Sequence, residues 1–245
     1  MKHAALAALI FDVDGTLADT EEAHRAAFNE AFVECGLDWH WDRPLYTRLL
    51  EVSGGRERIA AYWREAQPAV RAVDGAAIAD TVRRVHDLKT AAYGRRVADG
   101  EVALRPGVRA LIDGARAAGL RLAIATTTSP ANIAALLRAA IGPDWTLMLD
   151  SVEDASSAPR KKPDPQVYRQ TLQRLRLPAC ACLAFEDSAN GLAAAAAAGL
   201  ATIVTPTAYT VHQRFDGALR VLPNLAGVDI AALRAWHAEH ATTLA

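Results

Sequence analysis

The sequence predicts an α/β fold, a doubly wound parallel sheet that carries an inserted α-helical unit. Three observations point to it. Short apolar runs recur, and each ends in polar residues. Helical patterns alternate with those runs through the second half of the chain, as crossovers between parallel strands must. A stretch from about residue 21 to residue 100 has helical periodicity and no strand pattern.

The first apolar run, residues 5–11, stops at Asp12-Val13-Asp14-Gly15-Thr16 and reads as a buried strand opening into a loop. Residues 120–125 lead likewise into Thr126-Thr127-Thr128-Ser129, residues 182–185 into Glu186-Asp187-Ser188, and residues 200–204 into Thr205-Pro206. Helices are expected over 108–118, closed by Gly119; over 130–140, closed near Gly142; over 164–175, behind two prolines; and over 190–198, closed by Gly199. The insert has its own aromatic set, Phe28, Phe32, Trp39, Trp41, Tyr46, Tyr62 and Trp63, enough for a small bundle core. Ser53-Gly54-Gly55 and Gln67-Pro68 are expected to break its helices. The return linker falls near Asp99-Gly100, ahead of the turn Leu104-Arg105-Pro106-Gly107. The division is therefore 1–20 with 101–245 for the sheet domain, and 21–100 for the insert.

At 245 residues, with 51% apolar and 22% charged residues, the chain can bury a sizeable core. The 27 basic and 28 acidic residues give a net charge of −1 without like-charge blocks, which argues against nucleic acid or a membrane surface as partner. The apolar start is too short for a signal peptide, and the alanine-rich stretch 191–204 is too broken for a membrane span. Cys35, Cys180 and Cys182 are odd in number and lack zinc-site spacing, so a reduced, cytoplasmic setting is expected. Cys180 and Cys182 read as strand packing. A monomer is expected.

Ligands of open α/β sheets bind beyond the carboxyl ends of the strands, where this sequence places Asp12, Asp14, Thr126, Glu186 and Asp187. Converging carboxylates repel unless a cation joins them, and oxygen ligands without His or Cys favour Mg²⁺. Lys162, stiffened by Pro163 and Pro165, would supply a cation for an anionic substrate, with Lys161 as the alternative occupant. Thr126 and the backbone N–H groups of Thr127 and Thr128, at a helix start, would supply donors. Asp12 can serve as nucleophile toward phosphorus, and Asp14 as a separate acid and base.

Asp12-Val13-Asp14-Gly15-Thr16, then Thr126 after a strand, Lys162 before proline, and Glu186-Asp187-Ser188 with Gly191 resemble, in order and spacing, the four signature motifs of the haloacid dehalogenase superfamily. The resemblance implies a Rossmann-like core, an aspartyl phosphate on Asp12, and Asp14 as general acid and base. It also implies Mg²⁺ held by Asp12, the carbonyl of Asp14 and Asp187, with Glu186 in or beside that shell. The insert resembles the cap of the β-phosphoglucomutase-like branch, which closes over small phosphorylated sugars.

Within that branch, Ala18 to His24, Asp38 to Arg43, Gly54 to Ile59 and Ala125 to Ser129 are similar to CbbY-type phosphatases of the Calvin cycle, which act on xylulose 1,5-bisphosphate. A bisphosphate leaves a distal phosphate to hold. Gly54 and Gly55 could bring backbone N–H groups to it, Arg56 and Arg58 would provide charge, and Ser129 and Asn132 further hydrogen bonds. Arg56 stands where the CbbY-type pattern often has lysine, which keeps the charge but changes the geometry. Glu21 and His24, at i, i+3 spacing, share a helix face that could point into the site, with Glu21 a candidate reader of sugar hydroxyls, and Lys89 with His86 could approach from the far side of the cap. The alternatives are a mutase that returns the phosphoryl group to the sugar, and a non-enzymatic protein that senses a metabolite.

Overall fold

The computed structural model describes residues 4–66 and 75–243. The predicted break at Gln67-Pro68 lies outside the described residues. Six strands form one sheet: β1 (Ala8–Phe11), β2 (Arg121–Ala125), β3 (Ser151–Glu153), β4 (Cys182–Glu186), β5 (Ala201–Val204) and β6 (Arg220–Val221). Their order is β3-β2-β1-β4-β5-β6, and every pairing is parallel.

The strands are apolar because helices cover both faces. Leu9, Phe11, Leu122, Ile124, Leu183 and Phe185 pack on one face, while Ala8, Ile10, Ala123, Ala125, Cys182 and Ala184 pack on the other. The second face is rich in alanine and meets Ala194 and Ala195, so the alanine run lets its helix lie close to the sheet. Flanking helices are α5 (Val108–Ala117), α6 (Pro130–Ala140), α7 (Gln166–Leu175), α8 (Ala189–Ala197) and α9 (Ile230–Thr243). Helix α7 starts two residues later than expected, since the Asp164 carboxylate accepts the Gln166 N–H at 2.9 Å and ends the turn there.

Strands β3 and β6 were not expected from the sequence. They have three and two residues and lie at the two sheet edges, too short for an apolar run. Registers are central to function: Phe11 lies level with Ile124 on one side and Phe185 on the other, so Asp12, Ala125 and Glu186 emerge at the same height.

Between β1 and α5 lies the cap, made of α1 (Glu21–Glu34), α2 (Arg43–Leu49), α3 (Gly55–Ala66) and α4 (Gly75–Ala98). Its aromatic core forms as expected, with Phe28 and Trp41 ring centres 4.7 Å apart and Trp39 edge-on to Trp63 at 5.1 Å. The base of the cap is continuous with the sheet domain: Ala23, Ala27, Ala92, Tyr93 and Val97 pack into the main core, and α4 lies against α6. Among the described residues, no helix is long and apolar enough to cross a membrane.

Candidate active site

The loop after β1 turns sharply at Gly15, whose φ of +78° suits glycine and whose missing Cβ leaves room for the Asp187 carboxylate, 2.3 Å from where that atom would stand. Asp12 and Asp187 therefore approach each other across the loop. Glu186 completes the group, and one carboxylate oxygen from each of the three lies within 4.8 Å of the others. All three residues are buried.

Lys162 is the counter-charge. Its Nζ donates to Asp12 Oδ1 and Glu186 Oε1, both at 2.6 Å, and to the Ala125 carbonyl at 2.9 Å. Lys161 instead reaches the Ala155 carbonyl at 3.2 Å, so of the two lysines Lys162 is the one in contact with Asp12. The Tyr168 hydroxyl donates to the same Glu186 oxygen. One lysine does not balance three buried carboxylates. Burial, outweighing Lys162, pushes Asp12 up to about 7, and burial beside Glu186 and Asp12 raises Asp187 well above the carboxylate range. A shortage of positive charge among hard oxygen donors fits a divalent cation.

Gly191, at the start of α8, has no Cβ because the Glu186 carboxylate occupies that space, with Oε2 1.9 Å from the ideal Cβ position. Gly191→Ala is expected to force Glu186 off Lys162 and to cost about 1–3 kcal/mol, read as a lower denaturant midpoint. An unchanged midpoint with full activity would show that the carboxylate can move freely.

Asp14 sits in a different environment. Its Oδ1 accepts the Thr20 hydroxyl at 2.7 Å and His24 Nε2 at 3.0 Å, while Lys89 Nζ stands 2.9 Å from His24 Nδ1. The ammonium must donate to Nδ1, so His24 is neutral and its Nε2–H donates to Asp14. Burial and Lys89 lower the His24 imidazole, in agreement. Burial alone would raise the Asp14 carboxyl, but His24 and Thr20 hold it below the ordinary carboxylate range. Burial brings Lys89 down to about 8.

The four carboxylates, with Lys162, His24 and Lys89, line a cavity of about 440 Å³ between sheet domain and cap. The sheet side contributes Thr126, Thr127, Thr128, Ser129 and Asn132, and the cap side Glu21, Gly54, Gly55, Arg56, Arg58 and Lys89. Every residue singled out from the sequence lines this cavity, although three differ in posture. His24 has both ring nitrogens occupied by Asp14 and Lys89, leaving none for a sugar hydroxyl. Arg58 is buried and donates to the Leu49 carbonyl and the Tyr46 hydroxyl, both at 3.1 Å, which ties much of its guanidinium to the cap interior. Arg56 is the exposed arginine, 3.6 Å from Asp87.

Thr20, Tyr168, Asn190, Thr210 and Gln213 were missed. Thr210 and Gln213 lie well past the end of β5 at Val204, beyond the reach of the strand-end rule, which stops at Thr205-Pro206. Tyr168 sits within α7 like any core aromatic, with no mark of its hydroxyl's destination.

A family model for haloacid dehalogenase-like hydrolases matches residues 6–199. The protein CbbY encoded on a plasmid of Cupriavidus necator is 53% identical, with 94% of this chain and 96% of that one aligned. A phosphoglycolate phosphatase of Nitrosospira multiformis is 32% identical over 82% of this chain and 84% of its own. Among solved structures, a variant of CbbY from Rhodobacter sphaeroides in complex with xylulose-(1,5)bisphosphate superposes with a TM-score of 0.84. It is 44% identical, and 93% of this chain and 99% of that one are covered.

Proposed function

Because the chain belongs to the haloacid dehalogenase-like hydrolase family and is a phosphoric monoester hydrolase, we propose that it releases phosphate from a small sugar bisphosphate, with xylulose 1,5-bisphosphate as the favoured substrate. The observation that carries this reading is the separation of two carboxylates in one cavity: Asp12 on Lys162, and Asp14 on Thr20 and His24. Two acids in different surroundings can divide nucleophile from proton carrier.

Asp12 attacks phosphorus as the ester P–O bond breaks, and Asp14 protonates the departing alcohol oxygen. Asp14 then takes a proton from water, which attacks phosphorus and frees Asp12 with inorganic phosphate. The dianionic phosphate beside Asp14 raises its carboxyl by like-charge repulsion, the direction an acid needs. Lys162, held on Asp12, offsets the charge of the transferred group, and the Thr127 N–H and the Thr126 hydroxyl are its donors, the Thr128 N–H being bonded to Thr126 Oγ1 at 3.3 Å. Mg²⁺ held by Asp12, Glu186, Asp187 and the Asp14 carbonyl would offset charge on the phosphoryl oxygens.

The distal phosphate is assigned to the part of the cavity lining that Arg56, Ser129, Asn132 and Gly54-Gly55 contribute. Glu21 is the group left to read sugar hydroxyls, since its Oε2 is fixed by the Tyr46 hydroxyl at 2.8 Å.

The test is phosphate release with Mg²⁺ from xylulose 1,5-bisphosphate, β-glucose 1-phosphate and phosphoglycolate. The highest kcat/KM is expected for the bisphosphate. An isomeric sugar phosphate without free phosphate would replace the phosphatase by a mutase. Tight binding without turnover of any ester would make the chain a sensor.

A further inference from the structure

We propose that Tyr209 is a positioning residue that seats the cap on the sheet domain and so aligns the cap's sugar-facing residues with Asp187. It lies in the loop after β5 and lines no part of the cavity.

The loop is rigid at its root. The Arg105 guanidinium, itself buried, donates to the Thr205 hydroxyl at 3.0 Å, the Pro206 carbonyl at 2.9 Å and the Pro223 carbonyl at 3.1 Å, and also to the Gly15 and Thr205 carbonyls. Within the loop, the Thr207 N–H donates to Thr210 Oγ1 at 2.9 Å and the Tyr209 N–H to Thr207 Oγ1 at 3.1 Å. Thr210 Oγ1 in turn reaches Asp187 Oδ2 at 3.4 Å. The tip carrying Tyr209 is thus tied to a carboxylate of the acidic group.

At that tip Tyr209 leaves its own domain. It is 4% exposed and, among the described residues, is the one buried member of the cap's aromatic cluster that comes from the sheet domain. Its ring stands edge-on to Tyr46 with centres 5.8 Å apart, the Arg43 guanidinium lies 4.9 Å from its centre, and its hydroxyl donates to Glu22. Tyr46 passes the contact on: its hydroxyl donates to Glu21 and accepts from Arg58, both of which line the cavity.

Sheet order explains why one residue matters so much. The cap rests on the sheet domain along α4 against α6, and α6 follows β2. Strand β5 lies on the opposite side of β1, so its loop supports the other edge of the cap, with the cavity between. A further polar contact on that edge is the half-buried Asn190 side chain on the Glu51 carbonyl at 3.0 Å. Without the Tyr209 ring, that edge loses its buried support. The cap then samples other placements, and apparent affinity falls by the fraction of time it is misplaced.

The test needs no substrate in its first arm. Spin labels on half-buried Cys35 of the cap and exposed Cys180 of the sheet domain, with Cys182 buried, report the distance between the two units. A single narrow distribution is expected for the wild type, a broadened or double one for Tyr209→Ala, and a milder change for Tyr209→Phe and Glu22→Gln. The last two variants decide the matter if Tyr209→Ala does not fold. Distributions identical to wild type would overturn the proposal.

The second arm rests on the phosphatase reading. For Tyr209→Ala, kcat/KM on the sugar bisphosphate is expected to fall about tenfold, mainly through KM. Turnover of p-nitrophenyl phosphate, which does not span to Glu21 and Arg58, should change less than about twofold. Equal losses on both substrates would mean general damage and overturn the proposal. A wild-type protein inactive on both would remove the phosphatase reading, while the distance measurement would still decide the role of Tyr209.

Discussion

Asparagine at position 12 is expected to lower phosphate release by about 10⁴-fold or more, because the change removes the nucleophile and not merely a binding contact. The side chain keeps its shape, and Lys162 keeps Glu186 and the Ala125 carbonyl as partners. Stability should hold or rise, since one of three buried carboxylates crowded together has lost its charge. The expected result is therefore a folded, substrate-binding, inactive protein. Steady-state assays with a sugar bisphosphate check the rate, and calorimetry checks binding. A variant that keeps about 1% of the wild-type rate would rule out the covalent route through Asp12, since losing the nucleophile should cost several orders of magnitude.

The second large effect is expected at Lys162. Lys162→Met strips the Asp12 and Glu186 carboxylates of their shared ammonium while both stay buried, and leaving such charges uncompensated costs about 3–5 kcal/mol. Denaturant unfolding without added metal should show this loss, and phosphate release should be abolished. The sign of the pH dependence follows from the partners. Asp12 and Asp187 are already raised in the fold, and loss of the lysine raises Asp12 further. A folded-state value above the unfolded one means a penalty present at high pH that disappears as the carboxyls protonate. The stability gap between wild type and variant should therefore narrow as pH falls from the variant's higher Asp12 value to about 7, where Asp12 stands in the wild type, and change little from this group below that. A gap that widens on acidification would show that Lys162 is not held by these carboxylates.

The sheet was legible where its strands are buried on both faces. Residues 8–11, 122–125 and 182–185 are continuous apolar runs, and 201–204 is broken only by Thr202, because helices cover them above and below. Strand β3 carries serine and glutamate, β6 starts on arginine, and neither is long enough to show a period. The acidic group was legible for a related reason. In a parallel sheet, the residues after adjacent strands must meet at one edge, so the chain positions of Asp12, Glu186 and Asp187 are enough to make them neighbours.

The cap was legible as a unit and only partly as a surface. Helical spacing put Glu21 and His24 on one face, and both do face the cavity. Spacing carries no record of what stands opposite. His24 meets Lys89, 65 positions away, and is held on Asp14 in place of a ligand. Arg58, expected to meet a phosphate, spends donors on Tyr46 and Leu49.

By itself, then, the amino-acid sequence determined the α/β class, the helical insert and the carboxylate set with its lysine loop, because each follows from local periodicity or from the rule that parallel strands end together. Tertiary structure alone decided that Lys162 and not Lys161 reaches Asp12, that Thr20 and His24 hold Asp14, and that Tyr209 enters the cap to meet Glu22, 187 positions earlier. The reason is physical: such pairings form between side chains brought together by packing of one domain on another, and packing across that separation leaves no period in the chain.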